Sequence, residues 1–144
     1  MFGPHLTLDL YGCDRKKLLN KDFVFSVLIE LPQLIDMHRI SEPQVTIYNG
    51  SPGSFDAGGI SAFVLIAESH ITVHTFAKDG FVSIDIFSCK EFDMEKTLKF
   101  ITEKFKPEKI EKNFIIRGKT YVKHYPADVR KAERIVHRQR AVIR

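Results

Sequence analysis

The sequence predicts an α+β fold, a two-layer sandwich in which a mainly antiparallel sheet carries helices on one face. Three observations point there. Residues 5–11 alternate Leu6, Leu8 and Leu10 with His5, Thr7 and Asp9, the period of a half-buried strand. Three further strand-like runs, 60–67, 71–76 and 81–87, follow one another across short connections. Two segments with helical apolar spacing flank this cluster, one after Asp14 and one after Asp93. A sheet covered on one face leaves the other bare. A second copy of the chain is expected to cover it, giving a dimer built as a larger α/β sandwich.

The elements follow in order. Asp14 can cap a helix whose apolar face takes Leu18, Leu19, Phe23, Phe25, Val27, Leu28 and Leu31. Residues 44–48 read as a short strand. Asn49-Gly50-Ser51-Pro52-Gly53-Ser54 and then Gly58-Gly59 are loop chemistry, where glycine takes the positive φ that other residues avoid. Ala77-Lys78-Asp79-Gly80 suits a hairpin turn between the second and third runs. Asp93 caps a helix to about residue 106 that buries Leu98, Ile101 and Phe105. Residues 109–117 form a further strand, and 130–138 are expected to be helical.

Composition sets the class. With 144 residues, 44% hydrophobic and 28% charged, the chain is expected to be one globular domain, 1–117, followed by a basic tail, 118–144. The formal charge of +4 sits in that tail: residues 128–144 carry Arg130, Lys131, Arg134, Arg138, Arg140 and Arg144 against Asp128 and Glu133. A nucleic-acid surface would place cations across a folded face with aromatic side chains between them. The tail has none, so nucleic acid is not expected as a partner. No apolar run approaches the roughly 20 residues of a membrane helix, and no basic-then-apolar leader opens the chain. Cys13 and Cys89 are too few for a disulfide framework, so a cytoplasmic, reduced protein is expected.

The chemistry-bearing residues cluster between 61 and 89. Ser69 follows Glu68 between two apolar runs, where a hydroxyl can attack the preceding backbone carbonyl. Each residue also has an ordinary reading. Cys89 ends an apolar strand and by itself would be a buried, inert thiol. His70 and His74 share strand parity but lack a third ligand, so no metal is expected. Joint occurrence is what carries weight: a serine eight residues before Ser69, a histidine five after it and a cysteine twenty after it.

Gly59-Ile60-Ser61, the apolar run to Ala67, Glu68-Ser69-His70, His74-Thr75 and Asp85-Ile86-Phe87-Ser88-Cys89 resemble the prokaryotic S-adenosylmethionine decarboxylase proenzyme family. The likeness extends from residue 6 to about 106 and leaves out the tail. It implies self-cleavage between Glu68 and Ser69, with Ser69 becoming a pyruvoyl group, the only cofactor expected. That ketone would form a Schiff base with S-adenosylmethionine and act as the electron sink for loss of CO2, on the way to spermidine. Cys89 matches the family's proton donor, and Ser61 and His74 match the residues that assist processing. The family works as a homodimer with its active sites at the interface.

Substrate contacts are implied for Phe55, whose ring would stack on adenine, and for Asp79 and Asp9. The chain departs from the family pattern in two places. Gly53-Ser54-Phe55-Asp56-Ala57-Gly58-Gly59 keeps the aromatic residue and final glycine of a His-x-Phe-x-Pro-Tyr-Gly-like run but not its His or Pro. Lys78, a pure donor, stands where the family has a ribose-binding glutamate. Two alternatives follow. One is a pyruvoyl decarboxylase of arginine or ornithine, drawing on Asp56, Asp79, Asp85 or Asp9; the other is a non-cleaving regulatory homologue.

Overall fold

The computed structural model describes residues 2–122, so the helix expected at 130–138 lies outside the described residues. The elements are β1 (Gly3–Tyr11), α1 (Arg15–Leu18), α2 (Lys21–Leu34), β2 (Gln44–Tyr48), β3 (Gly59–Ile66), β4 (Ser69–Phe76), β5 (Phe81–Ser88), α3 (Met94–Phe105) and β6 (Lys109–Arg117). The six strands form one sheet in the order β2-β3-β4-β5-β1-β6, and every neighbouring pair is antiparallel. The expected α+β architecture is therefore present.

Strand parity builds the core. Leu6, Leu8 and Leu10 of β1, Ile60, Val64 and Ile66 of β3, Ile71 and Val73 of β4, and Val82, Ile84 and Ile86 of β5 are all buried on the helix-covered face. Val27, Leu28 and Leu31 of α2 and Ile101 and Phe105 of α3 meet them. Each such side chain contributes about 1.5–3 kcal/mol by leaving water. The buried Thr75 hydroxyl donates to the Leu18 carbonyl and accepts from the Ile60 N–H, both at 2.8 Å, so it ties α1 to the sheet without an unmet polar group. Gly59 is required by close approach: a Cβ there would stand 1.7 Å from the Thr75 carbonyl oxygen.

Two expectations are corrected. The segment after Asp14 is two helices rather than one. Asp14 accepts from the Lys16 N–H at 2.9 Å, and Asn20 then accepts from the Phe23 N–H at 3.0 Å, restarting the helix at a new angle. That break leaves Leu19 61% exposed and Phe25 37% exposed, so neither joins the core. The second correction concerns the strand expected at 71–76. It begins at Ser69, and Ala67 belongs to the turn, so Ile66 pairs with Ser69 and only Ala67 and Glu68 connect β3 to β4.

Candidate active site

The two-residue turn holds the Glu68–Ser69 peptide at one end of the sheet. Ser69 has φ 148°, a region that non-glycine residues occupy only under strain. Ser69 is paired with Ser88, and the next residue, Cys89, donates its backbone N–H to the Glu68 carbonyl oxygen at 2.8 Å. The carbon that a Ser69 hydroxyl would attack is thus already polarised by a fixed donor. Ser88 sets the position of that donor. Its buried hydroxyl accepts from the Lys90 N–H at 2.9 Å and donates to the Lys90 carbonyl at 2.7 Å, curling the chain just beyond β5.

The Glu68 side chain is buried and held by a residue that the sequence did not single out. His38 donates its backbone N–H to Glu68 Oε2 at 3.0 Å, and its ring Nδ1 lies 2.8 Å from Oε1. Burial pushes this carboxyl's pKa up, but the hydrogen bonds from His38 outweigh it and leave the group below its ordinary range. Glu68 is therefore ionised at neutral pH.

Ser61 and His74 occupy a different place. They pair directly across β3 and β4 on the uncovered face, with Ser61 Oγ 3.0 Å from His74 Nδ1. One continuous row crosses the sheet at their level: Thr46, Ser61, His74, Ser83, Asp9 and Glu111. This row lies five rungs along the β3–β4 ladder from the Ile66–Ser69 pair, about 17 Å away at strand spacing. Asp79 lies in the turn beyond, and Phe55 is 94% exposed on the loop that enters β3 at that same end. Each chain therefore carries two half-sites, Glu68, Ser69 and Cys89 at one end and Ser61, His74 and Asp9 towards the other. Beside the second half-site is an open hollow of about 250 Å³ lined by Gln44, Thr46, Ser61, Phe63 and His74.

Residues 4–118 match the family model described as S-adenosylmethionine decarboxylase. The chain belongs to the S-adenosylmethionine decarboxylase family. It is 33% identical over 118 residues to the S-adenosylmethionine decarboxylase proenzyme of Clostridium botulinum, covering 81% of this chain and 95% of that one. A proenzyme of the same name from Archaeoglobus fulgidus is 32% identical over 117 residues, covering 81% and 97%. Among solved structures, the adenosylmethionine decarboxylase of Aquifex aeolicus superposes with a TM-score of 0.67 at 25% identity, over 87% of this chain and 96% of that one. The enzyme class expected from the sequence, a carboxy-lyase, is the class of this family.

Several details distinguish this S-adenosylmethionine decarboxylase family member. Cys13 and Cys89 are both free. Burial pushes the Cys13 thiol up to about 11, which makes it inert, whereas Cys89 is partly exposed. Asp85 is engaged by His5, with Nε2 and Oδ1 2.6 Å apart, so it is not free to face a cationic substrate. Lys78 and Asp79 are both exposed. Among the described residues no helix is long and apolar enough to cross a membrane.

Proposed function

We propose that this chain is a pyruvoyl-dependent S-adenosylmethionine decarboxylase that cleaves itself between Glu68 and Ser69. It supplies decarboxylated S-adenosylmethionine for spermidine synthesis, in the cytoplasm, as a homodimer of cleaved chains. One observation carries the reading: a strained Ser69 follows a carbonyl that already accepts the Cys89 N–H.

The chain's own residues account for cleavage. Ser69 Oγ adds to the Glu68 carbonyl carbon, the C–N bond breaks, and the hydroxyl proton passes to the freed nitrogen, leaving an ester. His74 serves as base and Ser61 steadies the charged oxygen. Loss of the Ser69 Cα proton with rupture of the Cβ–Oγ bond then releases Glu68 as a carboxylate and leaves dehydroalanine. Tautomerisation and hydrolysis by water give the pyruvoyl group and ammonia.

The residues present fit that group, since Ser69 would head the second fragment beside a partly exposed Cys89. The group's conjugated ketone supplies an electron sink for decarboxylation. Cys89 then returns a proton to the substrate's α-carbon. Phe55 stacks on the adenine, Asp79 accepts from the ribose hydroxyls in place of the donor-only Lys78, and Asp9 lends negative charge to a cationic substrate.

The separation of the half-sites supports a dimer, because side chains about 17 Å apart cannot serve one peptide bond within one chain. The uncovered face also presents Phe63, Leu65 and Ile115, apolar side chains that a second copy would bury. In this arrangement the Ser61–His74 pair of one chain serves Ser69 of its partner. His74→Ala and Ser69→Ala chains, each uncleaved alone, should when co-expressed yield fragments from the His74→Ala chain only. Differently tagged chains resolved on a denaturing gel make the check. A mixture that stays intact while wild type cleaves would place both groups in one chain.

Substrate is tested by release of labelled CO2 from carboxyl-labelled S-adenosylmethionine, arginine and ornithine. S-adenosylmethionine alone should turn over; release from either amino acid instead would assign the pocket to that substrate.

A further inference from the structure

We propose that His38 is a positioning residue for self-cleavage, gripping the Glu68 side chain so that the Glu68 carbonyl stays against the Cys89 N–H while Ser69 is held strained. The inference rests on the self-cleaving reading above and adds to it a residue from outside the hairpin.

The segment leaving α2 is fastened to both parts of the cleavage site. Towards the hairpin, His38 holds Glu68 through two hydrogen bonds, the Ala67 N–H donates to the His38 carbonyl at 2.8 Å, and the Ile40 N–H donates to the Leu65 carbonyl at 3.0 Å. Towards the Cys89 end of β5, Lys90 Nζ donates to the Asp36 carbonyl at 2.9 Å, and Met37 Sδ lies 3.7 Å from Ser88 Oγ. The same few residues thus set the distance between the carbonyl and its donor. Asp36 makes the sharp exit possible with φ 56°.

The contact also has a particular chemistry. Two fixed donors keep the Glu68 side chain ionised despite its burial, and a carboxylate held at both oxygens cannot swing. A two-residue turn has few other restraints. With its side chain released, the Glu68–Ser69 peptide is free to rotate, which relaxes Ser69 and draws the carbonyl from the Cys89 N–H. Displacements of about 1 Å at a reacting centre cost up to about a hundredfold in rate.

The test follows cleavage of the full chain after pulse-labelled cell-free synthesis, separating precursor from fragments on a denaturing gel. His38→Ala should cleave about tenfold to a hundredfold more slowly than wild type. His38→Asn, whose amide can donate where Nδ1 does, should recover most of the rate; a purely space-filling role would not distinguish the two. Adding His38→Ala to Glu68→Ala should slow cleavage no further, since the partner is already gone. The inference is overturned if His38→Ala cleaves like wild type, if His38→Asn is no faster than His38→Ala, or if the two substitutions slow cleavage independently. A wild-type chain that never cleaves would instead overturn the self-cleaving reading itself.

Discussion

Ser69→Ala should remain a single 16.6 kDa chain after prolonged incubation, whereas wild type separates into residues 1–68 and 69–144. The loss should be complete rather than partial. The strained backbone at Ser69 and the polarised Glu68 carbonyl are both properties of the main chain and survive the substitution. What disappears is the nucleophile, and neither an imidazole nor a backbone donor can replace an attacking oxygen. Decarboxylation should fall to background with it, because no other side chain offers a ketone. Denaturing mass spectrometry reads both states, and the second wild-type fragment should begin with a blocked terminus. Two fragments from Ser69→Ala would remove Ser69 from the reaction.

The sheet was legible because its strands obey the simplest rule. Leu6, Leu8 and Leu10, and again Val82, Ile84 and Ile86, alternate with polar neighbours, and every one of them is buried. The helix after Asp14 was less so, since Asn20 is a second cap six residues on. A second cap looks like an ordinary polar helix residue until its side chain is seen accepting from Phe23. The site shows the limits of sequence proximity. Ser61 and Ser69 are eight residues apart, yet the hairpin sets them at different ends of a strand; Cys89, twenty residues beyond Ser69, is its neighbour across β5. His38 left no trace in the sequence at all. It meets Glu68 across thirty residues, and a histidine just past a helix has no periodicity or spacing to announce it.

Cys89→Ala should separate the two stages of the reaction. Residue 89 serves cleavage through its backbone N–H, which alanine retains, so the Glu68 carbonyl keeps its 2.8 Å donor and the chain should process at close to the wild-type rate. It serves turnover through its thiol, which alanine lacks. An ordinary cysteine, with a pKa of about 8.5, still carries its proton near neutral pH and can deliver it. Removing a positioned acid costs about 10²–10⁴ in rate, and decarboxylation by the cleaved variant should fall within that range. Protonation at the wrong carbon would also hand the substrate's amino group to the enzyme and end its activity. The variant should therefore lose function progressively with turnover as well as starting slow. Product formation over time, measured on protein already shown to be cleaved, registers both effects. Wild-type turnover in cleaved Cys89→Ala would show that the proton comes from another group, and an uncleaved variant would show that the thiol itself is needed for scission.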